Sequence, residues 1–371
     1  MVASFRHLTS RALDPFPHHH NVVMNTVTAP DGSHRSLWSR CLYQNAHAAS
    51  ALATAEMRHQ LAKRLDIHWR PGRKSGWEID GISPKVVSEF SKRRNEIDDA
   101  LRELEAEIGR GAHPVEVEHI VLRTRPAKNH TPADDLVARW RERAAACGLT
   151  SDDIARLSRP ARQQDTQRDS QRDTQRDLVF DLLADPNGIC AGGSVFTRSD
   201  AITAIANLGV PDADGVAQPL LGGATEVLKL SDAFLASDRV VCLNDADDPL
   251  FTTSEMLEVQ NRITARFRAG RHEATHLVSD HQLAGAFANH PHLTEEQRDL
   301  VGAWCQGGHR FQTAIGRAGT GKTTTVAACA EAWRAAGYRV VGAAVKGEAA
   351  RTLAAATGIE CETVAWYLAH T

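Results

Sequence analysis

The stretch from Gly316 to Thr323 carries the residue types that bind a nucleotide phosphate. Gly316, Gly321, Lys322 and Thr323 fit the whole phosphate-loop pattern G-x-x-x-x-G-K-S/T. In that pattern the glycines let backbone N–H groups converge on phosphate oxygens at the positive end of a helix dipole, the lysine reaches the β- and γ-phosphates, and the threonine ligates Mg²⁺. The sequence therefore predicts a site for ATP with Mg²⁺. Its expected contacts are Gly316, Arg317, Ala318, Gly319, Thr320, Gly321, Lys322, Thr323, Thr324 and Gln297.

A second group of residues suited to chemistry is the histidine run near the amino terminus. His7 is followed by His18-His19-His20. On a strand, alternation places His18 and His20 on one face and His19 on the other. Two imidazoles on one face and a third from a neighbouring strand would form a three-nitrogen metal site with open positions, and such a metal can polarise a phosphate oxygen. The alternative is a surface run of histidines in a chain that contains 18 of them, and spacing leaves both open.

The elements that must position the phosphate loop lie on either side of it. Residues 310–315 are predicted to form a short buried strand, residues 323–336 an alanine-rich helix that ends at Gly337, and residues 338–345 the next parallel strand. Thr294, followed three residues later by Gln297, predicts a capped helix that places Gln297 just ahead of the loop.

The amino-terminal block begins with short strands and continues into helices. Strand-like pieces cover residues 4–7 and 18–27. Apolar spacing near 3.6 predicts helices within residues 37–65 and 83–108, the second of them capped by Ser83.

Length and composition restrict the class of protein. The chain has 371 residues, of which 24% are charged and 42% hydrophobic, so it is long enough for two or three globular domains. No apolar run approaches the length of a membrane span and no signal-peptide core begins the chain, so no membrane insertion is expected. Seven cysteines without a C-x-x-C pair predict reduced thiols and a cytoplasmic location.

Charge is distributed unevenly along the chain. Residues 1–94 contain 14 Lys and Arg against 7 Asp and Glu, a balance of +7, whereas residues 178–260 contain 3 against 13, a balance of −10. The first stretch could face nucleic acid, and the DNA contacts expected in it are Arg11, Lys92, Arg93 and Arg94. The acidic stretch is interpreted as solvated surface.

The chain is expected to divide into four parts, residues 1–125, 126–177, 178–288 and 289–371. The second part is a connector with one helix, residues 132–147, and it ends in the repeats Asp165-Thr-Gln-Arg, Asp169-Ser-Gln-Arg and Asp173-Thr-Gln-Arg. Without apolar residues the repeats cannot bury a core face, so a poorly packed linker is expected, with a solvated helix as the alternative. Helices are predicted at residues 178–183, 200–208 and 254–269, and strands at 226–230 and 239–243.

The residues around the histidines resemble the His-triad region of conjugative relaxases of the MobF class, the TrwC/TraI-like enzymes. The resemblance rests on Ser4-Phe-Arg-His7-Leu-Thr-Ser-Arg11, Asp14-Pro15-Phe-Pro-His18-His-His20, Arg35-Ser-Leu-Trp38-Ser-Arg40, Ala55-Glu56-Met-Arg58, Gly81-Ile-Ser-Pro and Phe90-Ser-Lys-Arg93-Arg94. In that family three histidines hold a divalent metal beside the scissile phosphate, which implies that His7, His18 and His20 are the ligands here. Downstream, residues 293–297, the phosphate loop and residues 342–359 resemble the superfamily 1, RecD-like helicase half of the same enzymes.

The resemblance implies a mixed α/β chain. A partial α+β relaxase domain, with the three histidines on central strands of an antiparallel sheet, would be followed by the start of a RecA-like parallel α/β domain. The implied function is DNA processing in conjugative plasmid transfer, by metal-assisted strand nicking and ATP-driven unwinding. The implied cofactors are ATP with Mg²⁺ and a divalent metal, Mg²⁺, Mn²⁺ or Zn²⁺, at the histidines. The implied partners are single-stranded DNA near an origin of transfer and other relaxosome proteins.

Two parts of the family pattern are not found in the sequence. Family relaxases nick DNA with a tyrosine that precedes the triad, whereas the tyrosines here are Tyr43, Tyr338 and Tyr367. The acidic helicase motif that orders the water around Mg²⁺, and the motifs after it, are not found either. The sequence therefore predicts an internal piece of a relaxase–helicase, with residual DNA, metal and nucleotide binding and without complete catalysis. A fragment of a RecD-like repair helicase and a non-catalytic DNA-binding accessory protein are the two alternatives.

Overall fold

The structure, a computed structural model, describes residues 2–72, 76–125, 133–158, 169–211, 215–220, 222–317 and 319–370. The chain divides into two compact units, Met1–Met256 and Leu257–Thr371. The finer division into residues 1–125, 126–177, 178–288 and 289–371 stays a prediction.

The first unit mixes short strands with helices. Its elements are, in chain order, β1 (Val2–Thr9), β2 (Pro15–Val23), β3 (Val27–Thr28), β4 (His34–Arg35), α1 (Arg40–Gln44), α2 (Ala46–Leu65), β5 (Trp69–Pro71), β6 (Trp77–Ile79), α3 (Pro84–Glu89), α4 (Lys92–Ile108), α5 (Pro114–Arg123), α6 (Ala133–Ala146), α7 (Ser151–Leu157), α8 (Asp169–Ala184), α9 (Arg198–Asn207), β7 (Gly209–Pro211), β8 (Ala217–Pro219), α10 (Gly223–Leu235), β9 (Val240–Cys242) and β10 (Phe251–Thr253).

The remaining elements alternate helices with one pair of strands. They are α11 (Ser254–Ala269), α12 (Asp280–Asn289), α13 (Glu295–Gln306), α14 (Lys322–Ala335), β11 (Val341–Ala344), α15 (Gly347–Thr357), β12 (Glu360–Thr363) and α16 (Val364–His370).

The histidines lie on the antiparallel hairpin of β1 and β2. Within the described residues every sheet has two strands, so β1 and β2 have only each other as hydrogen-bonding neighbours. The expected antiparallel pairing is confirmed, but the expectation that the histidines lie on central strands of an incomplete sheet is wrong for the described residues, because each strand of this pair is an edge strand. No further strand pairs with the hairpin in the described part of the chain. Most residues of β1 and β2 are exposed, on both faces of the hairpin.

The core of the first unit forms where α2 meets α8, α9 and α10. Ala48, Ala51 and Ala55 line one stripe of α2, and their small side chains let that helix approach the others closely. Ile205 of α9 and Phe234 of α10 are fully buried in the same cluster. Burial of each such large side chain stabilises the fold by about 1.5–3 kcal/mol.

Residues 226–230, for which the sequence predicts a strand, are helical in α10. Val227, Ser231 and Phe234 recur at helical spacing and are all buried, so the run of apolar residues is one face of a helix. The strand expected at residues 239–243 is confirmed as β9, and the helix expected at 254–269 is confirmed as α11.

The connector contains more helix than the sequence predicts. The expected helix is α6, and α7 follows it with a capping box between Thr150 and Asp153. The repeats from Asp169 onward lie in α8, which agrees with the helical alternative, while the repeat at residues 165–168 lies outside the described residues.

The core of the second unit joins α12, α13 and α14. Val301 and Cys305 of α13 pack with Ala328, Cys329 and Ala332 of α14, and these side chains are almost completely buried. The predicted cap at Thr294 is confirmed, because its hydroxyl accepts from the backbone N–H of Gln297. Burial of alanine and cysteine brings α13 close to the helix that starts at the phosphate loop.

A parallel β–α–β crossover follows α14. β11 pairs with β12 in parallel, with Val341 opposite Glu360, and α15 connects them. The strand predicted at residues 310–315 is wrong, since that segment has no regular secondary structure and Ile315 is fully exposed. A parallel strand needs a neighbour to receive its hydrogen bonds, and within the described residues β11 pairs only with β12.

Candidate metal centre and phosphate loop

Strand register brings the three histidines onto one face of the β1–β2 hairpin. His7 lies directly opposite His18, and Phe5 lies opposite His20. Directly opposed residues point to the same face, as do residues two apart on one strand. His7, His18 and His20 therefore share a face, while His19, which is opposite Arg6, points to the other.

The ligand atoms of the three histidines converge. His7, His18 and His20 each offer one ring nitrogen, and these atoms all lie within 4.8 Å of one another. The closest pair is Nε2 of His18 and Nε2 of His20, at 3.2 Å. Within the described residues this is the one group of His, Cys, Asp or Glu side chains with such a geometry.

A backbone carbonyl orients the central imidazole. Nδ1 of His18 lies 2.7 Å from the carbonyl oxygen of Phe16. Because a carbonyl oxygen only accepts, Nδ1 must carry the proton and donate, which leaves the lone pair of Nε2 directed at His20. Metal-binding histidines characteristically have such a partner on their second nitrogen. Three imidazoles with a supported tautomer suit a divalent transition metal and leave positions open for other ligands.

The turn between β1 and β2 is held by residues from far along the chain. Asp14 is 3% exposed, and its Oδ1 accepts from Nη2 of Arg143 at 2.8 Å. Nε of Arg143 also donates to Oε1 of Glu89 at 2.8 Å. The indole Nε1 of Trp140 donates to the carbonyl of Leu13 at 2.7 Å. These contacts tie the turn to α3 and α6.

Two properties of this cluster indicate that it restrains the turn. Leu13 has φ of 58°, in the left-handed region that costs a non-glycine residue about 1 kcal/mol or more. The hydrogen bond from Arg143 holds the pKa of Glu89 below its ordinary value, which means that the ion pair favours the charged carboxylate. Arg143, Glu89 and Trp140 were not identified from the sequence. The possible signal was Asp14, an acidic residue directly before the histidine strand.

The residues expected to contact DNA are already engaged within the protein. Arg93 donates to the hydroxyl of Thr124 at 2.9 Å and to the carbonyl of Val121 at 2.6 Å. Arg94 pairs with Asp98 at 3.1 Å, and Lys92 pairs with Glu89 at 3.4 Å. Arg11 lies half-buried in the β1–β2 turn. The role of Arg11, Lys92, Arg93 and Arg94 in DNA binding stays a prediction.

The phosphate loop turns directly into a helix, as its sequence pattern predicts. Lys322 is the first residue of α14 and Gly321 is its N-cap, with φ of 75°. Gly319 also has a positive φ, 81°. Thr323 is exposed and Thr324 is half-buried at the first turn, where backbone N–H groups lack partners within the helix. Ala318, one of the expected contacts, lies outside the described residues.

The side chain of Lys322 donates hydrogen bonds to backbone carbonyls of the phosphate loop. Nζ of Lys322 donates to the carbonyls of Gly316 at 2.8 Å and of Arg317 at 2.6 Å. The hydroxyl of Thr320 donates to the same carbonyl of Arg317 at 2.9 Å. An exposed ammonium held at the helix N-terminus supplies the positive charge that a phosphate would meet.

Gln297 joins the start of α13 to the phosphate loop. Its Oε1 accepts from the backbone N–H of Thr294 at 3.0 Å, which completes the capping box, and its Nε2 donates to the carbonyl of Thr320 at 3.0 Å. The φ of 75° at Gly321 favours glycine, and a Cβ atom there would lie 2.4 Å from that Nε2, so any other residue would also displace the end of the Gln297 side chain. The sequence placed Gln297 near the loop, and the structure gives the contact.

Two known family models match this chain, one at each end. Residues 1–147 match the TrwC relaxase family model, and residues 292–371 match the AAA domain model. In the described residues no helix is both long and apolar enough to cross a membrane.

Curated relatives are conjugal transfer proteins. The chain is 39% identical over 119 residues to a probable conjugal transfer protein TraA of Sinorhizobium fredii and 38% identical over 119 residues to the conjugal transfer protein TraA of Agrobacterium fabrum. Each match covers 32% of this chain and 11% of the relative, so the chain matches about a tenth of the length of these relatives.

Similar solved structures are those of the relaxase TrwC. One is TrwC complexed with a 27-mer DNA comprising the recognition hairpin and the cleavage site, at 27% identity and a TM-score of 0.35, covering 40% of this chain and 52% of that chain. Another is TrwC in complex with oriT DNA in a copper-bound form, at 27% identity and a TM-score of 0.35, covering 40% of this chain and 50% of that chain.

Proposed function

We propose that this chain is a member of the MobF class of conjugative relaxases and processes DNA in plasmid transfer. Its histidine hairpin would bind a divalent metal and single-stranded DNA near an origin of transfer. Its phosphate loop would bind ATP with Mg²⁺. The relaxase match over residues 1–147 and the AAA match over residues 292–371 support the two halves of the proposal.

The convergence of the three imidazoles is the observation that carries the proposal. Ring nitrogens of His7, His18 and His20 lie within 4.8 Å of one another. Three ring nitrogens this close together can act as a set of ligands for one divalent cation. A bound Mg²⁺, Mn²⁺ or Zn²⁺ would polarise a phosphate oxygen.

The protein's own contribution is orientation. The Phe16 carbonyl fixes the His18 tautomer, and the antiparallel register sets His7 against His18. The Asp14–Arg143 pair restrains the turn from which β2 begins. These contacts would fix the positions of the imidazoles before metal and DNA bind, which reduces the loss of conformational entropy on binding.

The phosphate loop would bind nucleotide by local groups. Lys322 would exchange the carbonyls of Gly316 and Arg317 for phosphate oxygens, and the exposed hydroxyl of Thr323 is available to Mg²⁺. The N-terminus of α14 adds its partial positive charge. Gln297 would hold the loop through Thr320 during that exchange.

The relaxase match makes a repair helicase a poorer description than a transfer protein, because such a helicase has no use for a histidine triad ahead of its motor. A DNA-binding accessory protein remains the second candidate, since metal and DNA binding at the hairpin would serve it as well. Formation of a covalent adduct with DNA distinguishes an active relaxase from that accessory role.

Metal binding is tested by isothermal titration of Mn²⁺ or Zn²⁺ into the full chain. His18→Ala and His20→Ala should each abolish measurable binding, because each removes one of three ligands. His19→Ala is the matched control, since His19 lies between them on the opposite face and should leave affinity unchanged. Equal binding by the parent and His18→Ala would refute the metal centre.

Nucleotide binding is tested by titration with a fluorescent ADP in the presence of Mg²⁺. Lys322→Ala should weaken affinity roughly tenfold or more, because hydrogen bonds to charged groups contribute about 1.5–3 kcal/mol. Lys229→Ala removes an exposed lysine of α10 and is the control for net charge. Unchanged affinity in Lys322→Ala would show that this stretch does not bind phosphate.

A further inference from the structure

The histidine face of the β1–β2 hairpin also carries two phenylalanines. Phe5 lies opposite His20 in the strand register. Phe16 precedes His18 by two residues on β2, and its ring centroid is 4.7 Å from that of His18. The two rings therefore lie on opposite sides of the histidine triad along the strands, one beside His20 and the other beside His18.

Both rings are largely exposed to solvent. Phe5 is 54% exposed and Phe16 is 56% exposed. The histidine face also carries the exposed Val22, which lies opposite Ala3. The other face carries the exposed aliphatic residues Val2 and Val23. Aliphatic side chains suit packing against other protein segments, whereas exposed flat rings beside a cation site suit flat ligands.

Single-stranded DNA is the occupant that matches all of these features. Its phosphate would meet the metal held by the histidines, and its bases have the π-faces that stack on aromatic side chains. The net charge of +7 over residues 1–94 favours a polyanion over an acidic or neutral protein surface. A protein partner would gain nothing from rings placed on both sides of a metal site.

We propose that Phe5 and Phe16 are nucleobase-stacking positions that bind the bases on either side of the phosphate at the histidine triad. The inference rests on the proposed function, because it takes the DNA phosphate to lie at the triad. Stacking on both sides would position the phosphate between the two rings. It would also make binding depend on the bases and not only on charge.

The experiment compares two fluorescein-labelled single strands by anisotropy, with the full chain and saturating Mn²⁺. One is an oligothymidylate, and the other is an equally long abasic oligonucleotide with the same phosphates and no bases. The parent should bind the oligothymidylate at least about fivefold more tightly. Phe5→Leu and Phe16→Leu should each reduce that affinity about fivefold or more and leave binding of the abasic strand unchanged.

Two kinds of variant control for structure. Phe5→Tyr and Phe16→Tyr keep the ring and should bind the oligothymidylate within about twofold of the parent. Val2→Ala removes an exposed apolar side chain from the opposite face and should change neither affinity. Titration with Mn²⁺ shows whether each variant keeps the hairpin in its native form.

Photocrosslinking of the unmodified protein gives a test that requires no variant. A strand that carries 5-iodouracil should crosslink to Phe5 or Phe16, because this base reacts with aromatic rings on which it stacks. Crosslinks that map only elsewhere would overturn the proposal. A leucine variant that loses Mn²⁺ binding has a damaged hairpin, and in that case the crosslink and the tyrosine variants decide.

Other outcomes separate this inference from the proposed function. Equal affinity of the parent for the two strands would overturn the stacking positions, even if Mn²⁺ still binds. Failure of the parent to bind Mn²⁺ would overturn the metal centre instead. Self-association of the parent that is lost in Phe5→Leu and Phe16→Leu would identify the face as an interface between copies and refute the proposal. Tighter binding of an equally long oligouridylate would refute the assignment to DNA.

Discussion

The histidine hairpin collects its three imidazoles from two strands, whereas the phosphate loop takes its lysine, threonine and glycines from one continuous stretch. In the hairpin, the pairing of His7 with His18 decides which side chains share a face. In the loop, the positive φ angles of Gly319 and Gly321 decide the path of the backbone. The metal centre therefore depends on strand pairing, and the loop depends on local conformation.

The supports of the two sites differ in the same way. The hairpin turn is held by Arg143, which lies 129 positions after Asp14. The loop is held by Gln297, which lies 23 positions before Thr320. Contacts between distant parts of the chain cost more loop-closure entropy, so the metal centre should be the more easily disrupted of the two sites.

The largest expected effect comes from a one-residue change of register. Insertion of a glycine between His18 and His19 should place His18 and His20 on opposite faces of β2, because side chains alternate along a strand and the two histidines would then lie three positions apart. The insertion is made in the His19→Ala variant, so that His19 cannot take the place of a ligand. Metal affinity should fall by more than the roughly 10- to 100-fold that loss of a supporting hydrogen bond costs a metal site. Calorimetric titration with Zn²⁺ measures the change.

The control is a glycine inserted after Gly32, in the turn that precedes β4, where register with β2 is not involved. Nucleotide affinity of the phosphate loop should be the same in both insertion variants. Zn²⁺ binding that survives the first insertion would mean that the triad does not depend on the β1–β2 register.

Removal of Arg143 should have the next largest effect. Arg143→Leu leaves the buried Asp14 carboxylate without its charged partner, although the backbone N–H of Lys92 still donates to it. We expect the hairpin to lose about 2–3 kcal/mol, since Arg143 is partly exposed and a fully buried pair costs about 3–5 kcal/mol to break. Hydrogen exchange of the β1 and β2 amides should become correspondingly faster.

Arg102→Leu provides the matched control for this prediction. It removes an arginine whose ion pair with Asp99 is exposed, and such pairs contribute about 0–1 kcal/mol. Equal exchange rates in the two variants would argue that the Asp14–Arg143 pair does not stabilise the hairpin. Metal affinity measured on the same samples links the restraint of the turn to the site.

A smaller effect is expected at the support of the phosphate loop. Gln297→Met removes both the capping hydrogen bond to Thr294 and the donation to Thr320. Gln282→Met removes an equivalent cap at Ser279, but its other contact is the Ala335 carbonyl, away from the loop. Only Gln297→Met should reduce affinity for fluorescent ADP, by about fivefold, which is about 1 kcal/mol. The same loss in both variants would assign the effect to helix capping.

The smallest expected effect is the pH dependence of the ion pair between Arg110 and Glu116 at the start of α5. Hydrogen bonds from Arg110, and then from the backbone N–H of His113, lower the pKa of Glu116 from its ordinary 4.5 to about 2. Because the folded-state pKa is depressed, its contribution is present at neutral pH and is lost as pH falls from about 4.5 through about 2. In Glu116→Gln, hydrogen exchange of α5 should therefore vary less over that range of pH.

Glu118→Gln, which removes an exposed carboxylate from the same helix, should keep the parent's pH dependence. An unchanged profile in Glu116→Gln would show that the ion pair with Arg110 does not contribute to α5. Since this ion pair lies within a few residues, its loss should leave the distant hairpin amides unaffected.

Local signals predicted much of the secondary structure. The caps at Ser83 and Thr294 are confirmed, because each needs only a hydroxyl and the backbone of the following turn. The strands at residues 226–230 and 310–315 were wrong, because a short apolar run has the same composition in a buried helix and in a strand. Pairing partners decide between the two, and they are not encoded within the run.

The sequence alone identified the phosphate-loop pattern, the three histidines and the resemblance to the relaxases whose family model matches residues 1–147, because each is carried by residue types at short, fixed spacing. Only the tertiary structure decided what stands beside them. It placed Phe5 and Phe16 around the triad and brought Arg143 to Asp14. Register, burial and contacts between distant residues arise from the free energy of the whole fold, so no short stretch of residues specifies them.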